Sequence, residues 1–158
     1  MKNYKKFIKL KSLESGYKMS LSSYYSGKAI SISKTIAPHA VSYPFTSYFN
    51  INHGHAVSLT FDTIIEHNYI NVKNSIAPYN LQKRYEILFD LLKIKNIKSF
   101  KKKILSINKD LSLENKLSKI NKRIPKNLSL ILKNINTQRL KNNPIILSSS
   151  DIRDILLI

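Results

Sequence analysis

The sequence predicts an all-α protein, a bundle of roughly six to eight helices. Three observations carry this expectation. Apolar residues recur at helical spacing over long stretches, as at Leu81, Tyr85, Leu88 and Leu92. Only three glycines occur, at 16, 27 and 54, too few for a chain built from many tight β-turns. Prolines and asparagine-rich breaks fall between the periodic segments rather than inside them, with Pro44 as the exception.

Residues 1–15 read as a basic lead-in, and residues 16–158 as one helical domain. A first helix is expected from Gly16 to Lys34, although the alternation at Ile30 and Ile32 also fits a short strand. Pro38 can open a second helix, because a first-turn proline forfeits no helical hydrogen bond. That helix runs to Phe49, and Pro44 is placed to kink it. Asn50-Ile51-Asn52 is a loop signal. From His53 to Asn68 the chain reads as a buried helix, and residues 71–80 as a connection. Further helices are expected at Leu81–Ile94, Ser99–Ile107, Leu113–Ile124 and Leu128–Ile135. Asn142-Asn143-Pro144 is a turn, and Ser150 or Asp151 should cap a last helix, Ile152 to Leu157.

Composition excludes several classes. At 158 residues the chain suits one domain with a real core. It has no cysteine, hence no disulfides and no thiolate ligands, and a metal would fall to His, Asp or Glu. No apolar run approaches the ~18 residues of a membrane span. The opening MKNYKKFIKLK has basic residues without an apolar stretch behind them, so no secretory leader is expected and the location is expected to be cytoplasmic. The formal net charge is +18, but Arg occurs only at 84, 123, 139 and 153. Lys, Ile and Asn are abundant together, which is the pattern of AT-rich codons. A chain selected for phosphate contacts would use more Arg, interleaved with aromatics. The charge is therefore read as compositional bias, with nucleic-acid binding a minor alternative. There is no glycine-rich nucleotide loop.

All four histidines, His39, His53, His55 and His67, fall within one segment of under thirty residues. His53 and His67 are fourteen residues apart on one expected helix, or ~21 Å, too far to share a metal. His53 and His55 point to opposite helix faces. His39 and His53 are also fourteen apart, but the Asn50–Asn52 loop lets the chain fold back between them. Spacing thus favours His39 with His53 as a ligand pair. A mononuclear site usually takes three or four protein ligands, so two are missing.

The stretch SKTIAPHAVSYPFTSYFNINHGHAVSL, from Ser33 to Leu59, resembles the iron-containing alcohol dehydrogenases. In that family an upstream histidine precedes, by fourteen residues, the histidine of a His-Gly pair, with proline and aromatics between. Here these are His39, Pro44 and His53-Gly54. The closing NNPIILSSSDIRDIL is also similar to that family's final turn and helix. Within the family, APHA-VSYPFTSYF and HGHAVSLT look most similar to the phosphonoacetaldehyde reductase branch.

The resemblance implies the helical, metal-holding, carboxy-terminal domain of such an enzyme. His39 and His53 would be two of four ligands to Fe2+ (or Zn2+). The family's other ligands, an Asp and a His four apart, have no counterpart before His39, where Glu14 is the only acidic residue. Those ligands and the NAD(P) site are expected outside this sequence, in a separate nucleotide-binding chain or a lost half. Many relatives carry a further histidine four residues after the first ligand, linked to proton transfer. Here that position is Tyr43, whose hydroxyl can donate a proton or simply pack. His55 faces the substrate cleft or serves as a supporting histidine. His67 is expected to be structural. Lys28 and Lys34 would suit an anionic substrate, though in so Lys-rich a chain their placement needs no such cause. The parent reaction would be reduction of a small aldehyde to its alcohol by NAD(P)H. Whether this chain is an active enzyme is left open. A relic without activity, and after it a basic anion- or nucleic-acid-binding helical domain, are the alternatives, and assembly as a homo-oligomer is left open.

Overall fold

The structure is a computed structural model and describes residues 3–157. Among them all regular structure is helical, as expected, with no strand, but it is divided into ten α-helices and two 3-10 turns rather than six to eight helices. The chain comprises two compact units, Met1–Lys34 and Thr35–Ile158.

The first unit is a pair of helices. Tyr4–Leu10 forms α1, inside the stretch read as a lead-in, and α2 spans Leu13–Ser33. Lys11 turns the chain in the left-handed region, with φ 45°. Ser12 then caps α2 by accepting from the Ser15 N–H. This cap, rather than Gly16, starts the helix three residues earlier than expected. A Cβ at Gly16 would meet the Phe7 ring at 3.6 Å, an ordinary contact, so the packing there does not require glycine. The strand alternative at Ile30 and Ile32 is not realised, since both lie inside α2.

The second unit holds α3 (Ala37–Phe49), α4 (His53–Ile70), α5 (Leu81–Leu92), α6 (Ile97–Asp110), α7 (Leu117–Ile120), α8 (Leu128–Lys133), α9 (Thr137–Leu140) and α10 (Ser149–Leu157). The long central helix α4 serves two cores. One is built on Ala37, Ala40, Val41 and Phe45 of α3, with Ala56 and Ile64 of α4, Ile131 of α8 and Ile152, Ile155 and Leu156 of α10. The other joins Phe61, Ile65 and Tyr69 of α4 to Leu81, Tyr85 and Phe89 of α5 and to Ile97, Phe100 and Ile104 of α6. A buried amide pair locks α4 to the turn before α10. Asn68 and Asn143 each donate to the other's carbonyl, at 3.0 and 2.9 Å, and both are fully buried. Burying two amides is tolerable because they satisfy each other.

Several boundaries differ from the sequence reading, each for a local reason. Helix α6 starts at Ile97, not Ser99, because Asn96 accepts from the Ser99 N–H at 2.9 Å. The expected helix Leu113–Ile124 shrinks to Leu117–Ile120. There the Glu114 carboxylate accepts the N–H groups of Asn115 and Lys116, and Asn121 accepts that of Arg123. Such side-chain bonds compete with helix formation. Helix α9, unanticipated, is one turn capped by Asn136. The last helix begins at Ser149 and is capped by Ser148 instead of Ser150 or Asp151. Ser148 and Asp151 bond each other's backbone N–H reciprocally, at 2.8 and 3.1 Å.

Candidate metal centre

The site is made by a helix-loop-helix reversal. Helix α3 opens with a proline near its first position and is almost wholly buried through Phe45. It ends at Asn50, which adopts φ 53°, a left-handed conformation that asparagine tolerates. The chain turns back and α4 begins at His53. His39 in the first turn of α3 thereby meets His53 in the first turn of α4. Their ring centroids are 5.3 Å apart, with planes tilted by 47°. The Tyr43 ring, one turn after His39, lies 6.1 Å from His53. His53 and His67 sit near opposite ends of α4, as the distance argument required.

Two features bear on the state of the imidazoles. Half-buried His39 has its pKa pushed below the usual histidine value, first by burial, then by His53 and by Arg139. It is held neutral, the form in which a histidine can ligate. The fully buried Ser42 donates its single hydroxyl proton to the His39 carbonyl at 2.8 Å. Its oxygen can then only accept from His53 Nδ1, 3.5 Å away, a long contact. That arrangement favours the proton on Nδ1 and leaves the Nε2 lone pair for a ligand. Ser42 was not singled out from the sequence; its place three residues after His39, one helical turn on, is the signal available there.

His55 is disposed differently. Its Nε2 lies 2.7 Å from the Glu114 carbonyl oxygen. A carbonyl only accepts, so Nε2 carries the proton and is committed to the chain leading into α7. The structure brings His39, His53 and Tyr43 together, and ties His55 to a loop.

Arg139 completes the surroundings, also unforeseen. Pro44 has no N–H with which to bond the Ala40 carbonyl, its partner four residues back. That carbonyl instead accepts from the Asn136 N–H at 3.3 Å. Asn136 is the cap of α9. The proline expected to kink α3 thus creates the socket on which α9 sits. Arg139 on α9 places its guanidinium 5.3 Å from the centre of the Tyr43 ring. It donates to the buried Thr35 hydroxyl at 2.7 Å, and Asn142 holds the Thr35 carbonyl.

The donor set can be tested against a metal. Two imidazoles converging across a turn, without thiolate, suit a borderline divalent ion such as Fe2+ or Zn2+. Among the described residues no group of three or more His, Asp and Glu could hold an ion. The pair supplies at most two of the three or four protein ligands such an ion takes.

The comparisons with known proteins bear on the family and the fold. The model of the Fe-containing alcohol dehydrogenase family, carboxy-terminal domain, matches residues 1–157. This chain belongs to that family. A phosphonoacetaldehyde reductase of Streptomyces viridochromogenes is 37% identical over 46 residues, which make up 29% of this dehydrogenase-family chain and 12% of that enzyme. The sulfoacetaldehyde reductase of Bifidobacterium kashiwanohense, solved with NAD+, shares the fold, with a TM-score of 0.64 and 19% identity. The match covers 78% of this chain and 30% of that one. The family chain described here spans less than a third of either relative. Family and all-helical architecture are thus those expected from the histidine pattern. Among the described residues no helix is long and apolar enough to cross a membrane.

Proposed function

We propose that this chain forms the metal-holding half of a cytoplasmic, NAD(P)H-dependent reductase of small aldehydes, phosphonoacetaldehyde or a close analogue among them. His39 and His53 would hold Fe2+, or Zn2+ in its place. A nucleotide-binding half, elsewhere in a longer protein or on a separate chain, would supply the remaining ligands and the nicotinamide. The observation that carries this reading is the 5.3 Å approach of two imidazoles fourteen residues apart across the Asn50 reversal.

The bound metal would supply Lewis acidity toward a carbonyl oxygen. This chain's own residues have separable tasks. Burial keeps His39 neutral and able to ligate. Ser42 orients His53 through Nδ1. The half-buried Tyr43 hydroxyl is the candidate donor to the oxygen that becomes the alcohol. His55, its Nε2 bonded to the Glu114 carbonyl, would tie the first turn of α4 to the chain leading into α7. The relatives' names support the substrate class, since both act on two-carbon aldehydes bearing an acidic group.

The test is a Zn2+ titration of the isotopically labelled chain followed through its histidine ring signals. His39 and His53 should respond together, ahead of His55 and His67, and His39→Ala should abolish the response at His53. Independent responses at all four rings would sink the metal reading. Co-expression with a nucleotide-binding half should then give NAD(P)H oxidation with a small aldehyde. A chain inert in both assays would be a relic.

A further inference from the structure

Beside the histidine pair stands a cation with no assigned task. Arg139 is one of four arginines against 23 lysines in the chain. Among the described residues no carboxylate pairs with it. A guanidinium has five N–H donors, and here one goes to Thr35. Its guanidinium carbon also lies 5.3 Å from the centre of the Tyr43 ring, so the group is held by two partners. The placement is engineered by the backbone, since Pro44 frees the carbonyl that anchors α9.

We propose that Arg139 is a specificity-determining residue that anchors the oxyanion group, phosphonate or sulfonate, of an aldehyde whose carbonyl lies at His39 and His53. The inference rests on the reductase reading above. A rigid planar fork matches two oxygens of a tetrahedral oxyanion, and a lysine in the same place would supply only a point charge. A substrate with a carbonyl at one end and an anion at the other needs the two features side by side. Tyr43 links them, its ring centre 5.3 Å from the Arg139 guanidinium and 6.1 Å from that of His53. The same chemistry could instead meet the pyrophosphate of a nicotinamide cofactor, and the experiment separates the two.

The labelled 158-residue chain is titrated with methylphosphonate, methanesulfonate and adenosine diphosphate. Methylphosphonate should shift the Arg139 Nε–H signal and the Tyr43 ring signals along one saturating curve. Arg139→Gln should weaken that binding about ten- to a hundredfold, the worth of a charge-assisted pair. Arg139→Lys should recover only part of it. Lys102→Gln, an exposed charge on α6, should leave it unchanged. Equal losses in Arg139→Gln and Lys102→Gln would reduce the effect to net charge and overturn the proposal. Adenosine diphosphate displacing methylphosphonate from Arg139 at lower concentration would overturn it in favour of the cofactor. The shifts in the unsubstituted chain need no variant to fold. The reductase reading fails separately, by the histidines ignoring Zn2+ while Arg139 still answers to phosphonate.

Discussion

Helices α3 and α6 bury themselves in opposite ways. In α6, Ile97, Phe100, Ile104 and Asn108 are buried at helical spacing, while Lys98 and Lys102 between them and Lys109 after them are exposed. In α3, Ala37, Pro38, Ala40, Val41, Ser42, Pro44 and Phe45 are all buried, which covers nearly the whole circumference. The amphipathic helix is scaffold. The surrounded helix, with small residues that let neighbours come close, carries His39. Burial on this helix is the first cause that moves the His39 pKa down, favouring the neutral ring.

The largest effect should come from the surrounded helix. Phe45 is fully buried. Phe45→Ala should cost about 3–5 kcal/mol, read as a fall in the urea midpoint. On α6, Lys102→Ala should stay within about 0.5 kcal/mol. A small loss at Phe45 would erase the contrast between the helices.

That contrast also explains what could be read from the sequence. Helices α4 and α5 were legible from periodicity, and the site's histidines from spacing across a loop. Asn50 was visible as a loop residue, and its left-handed φ is what asparagine at a helix end commonly does. Arg139 was invisible because its partner Thr35 is 104 positions away and no local pattern joins them. The collapse of the expected Leu113–Ile124 helix was hidden for the opposite reason. Its apolar spacing was good, but Glu114 and Asn121 side chains captured the backbone N–H groups.

The helix shared by both cores, α4, gives the next two tests. Asn143→Ala would leave the buried Asn68 amide without its partner. The expected cost is about 1–3 kcal/mol, again by urea denaturation. If the loss is negligible, α4 is not locked at its far end and the two cores are less coupled than their contacts imply. Asp62 lies buried on the same helix, and burial pushes its carboxyl pKa up, opposed in part by Lys101. A raised folded-state pKa means that the folded state holds the proton more tightly. The stabilising contribution is complete below the unfolded value near 3.8 and is lost as pH rises through the folded value. Asp62→Asn should therefore stabilise the protein at pH 7, with the gain vanishing in acid. A gain independent of pH would mean that burial of the charge is not its cause.

The smallest effect tests whether α4 is as tightly surrounded near the site as α3 is. Thr60 is 1% exposed, and its hydroxyl has no hydrogen-bond partner among the described residues. A threonine inside a helix can usually return its hydroxyl to a carbonyl three or four residues back. Here that does not happen, so the group loses water without compensation. Valine has nearly the same shape and no hydroxyl. Thr60→Val should raise stability by roughly 1 kcal/mol, because the desolvation penalty disappears while the packing stays. A destabilisation of that size would mean that the hydroxyl is satisfied in solution by water reaching α4. The helix would then be open where α3 is closed, and the close packing of α3 would not extend to the middle of α4.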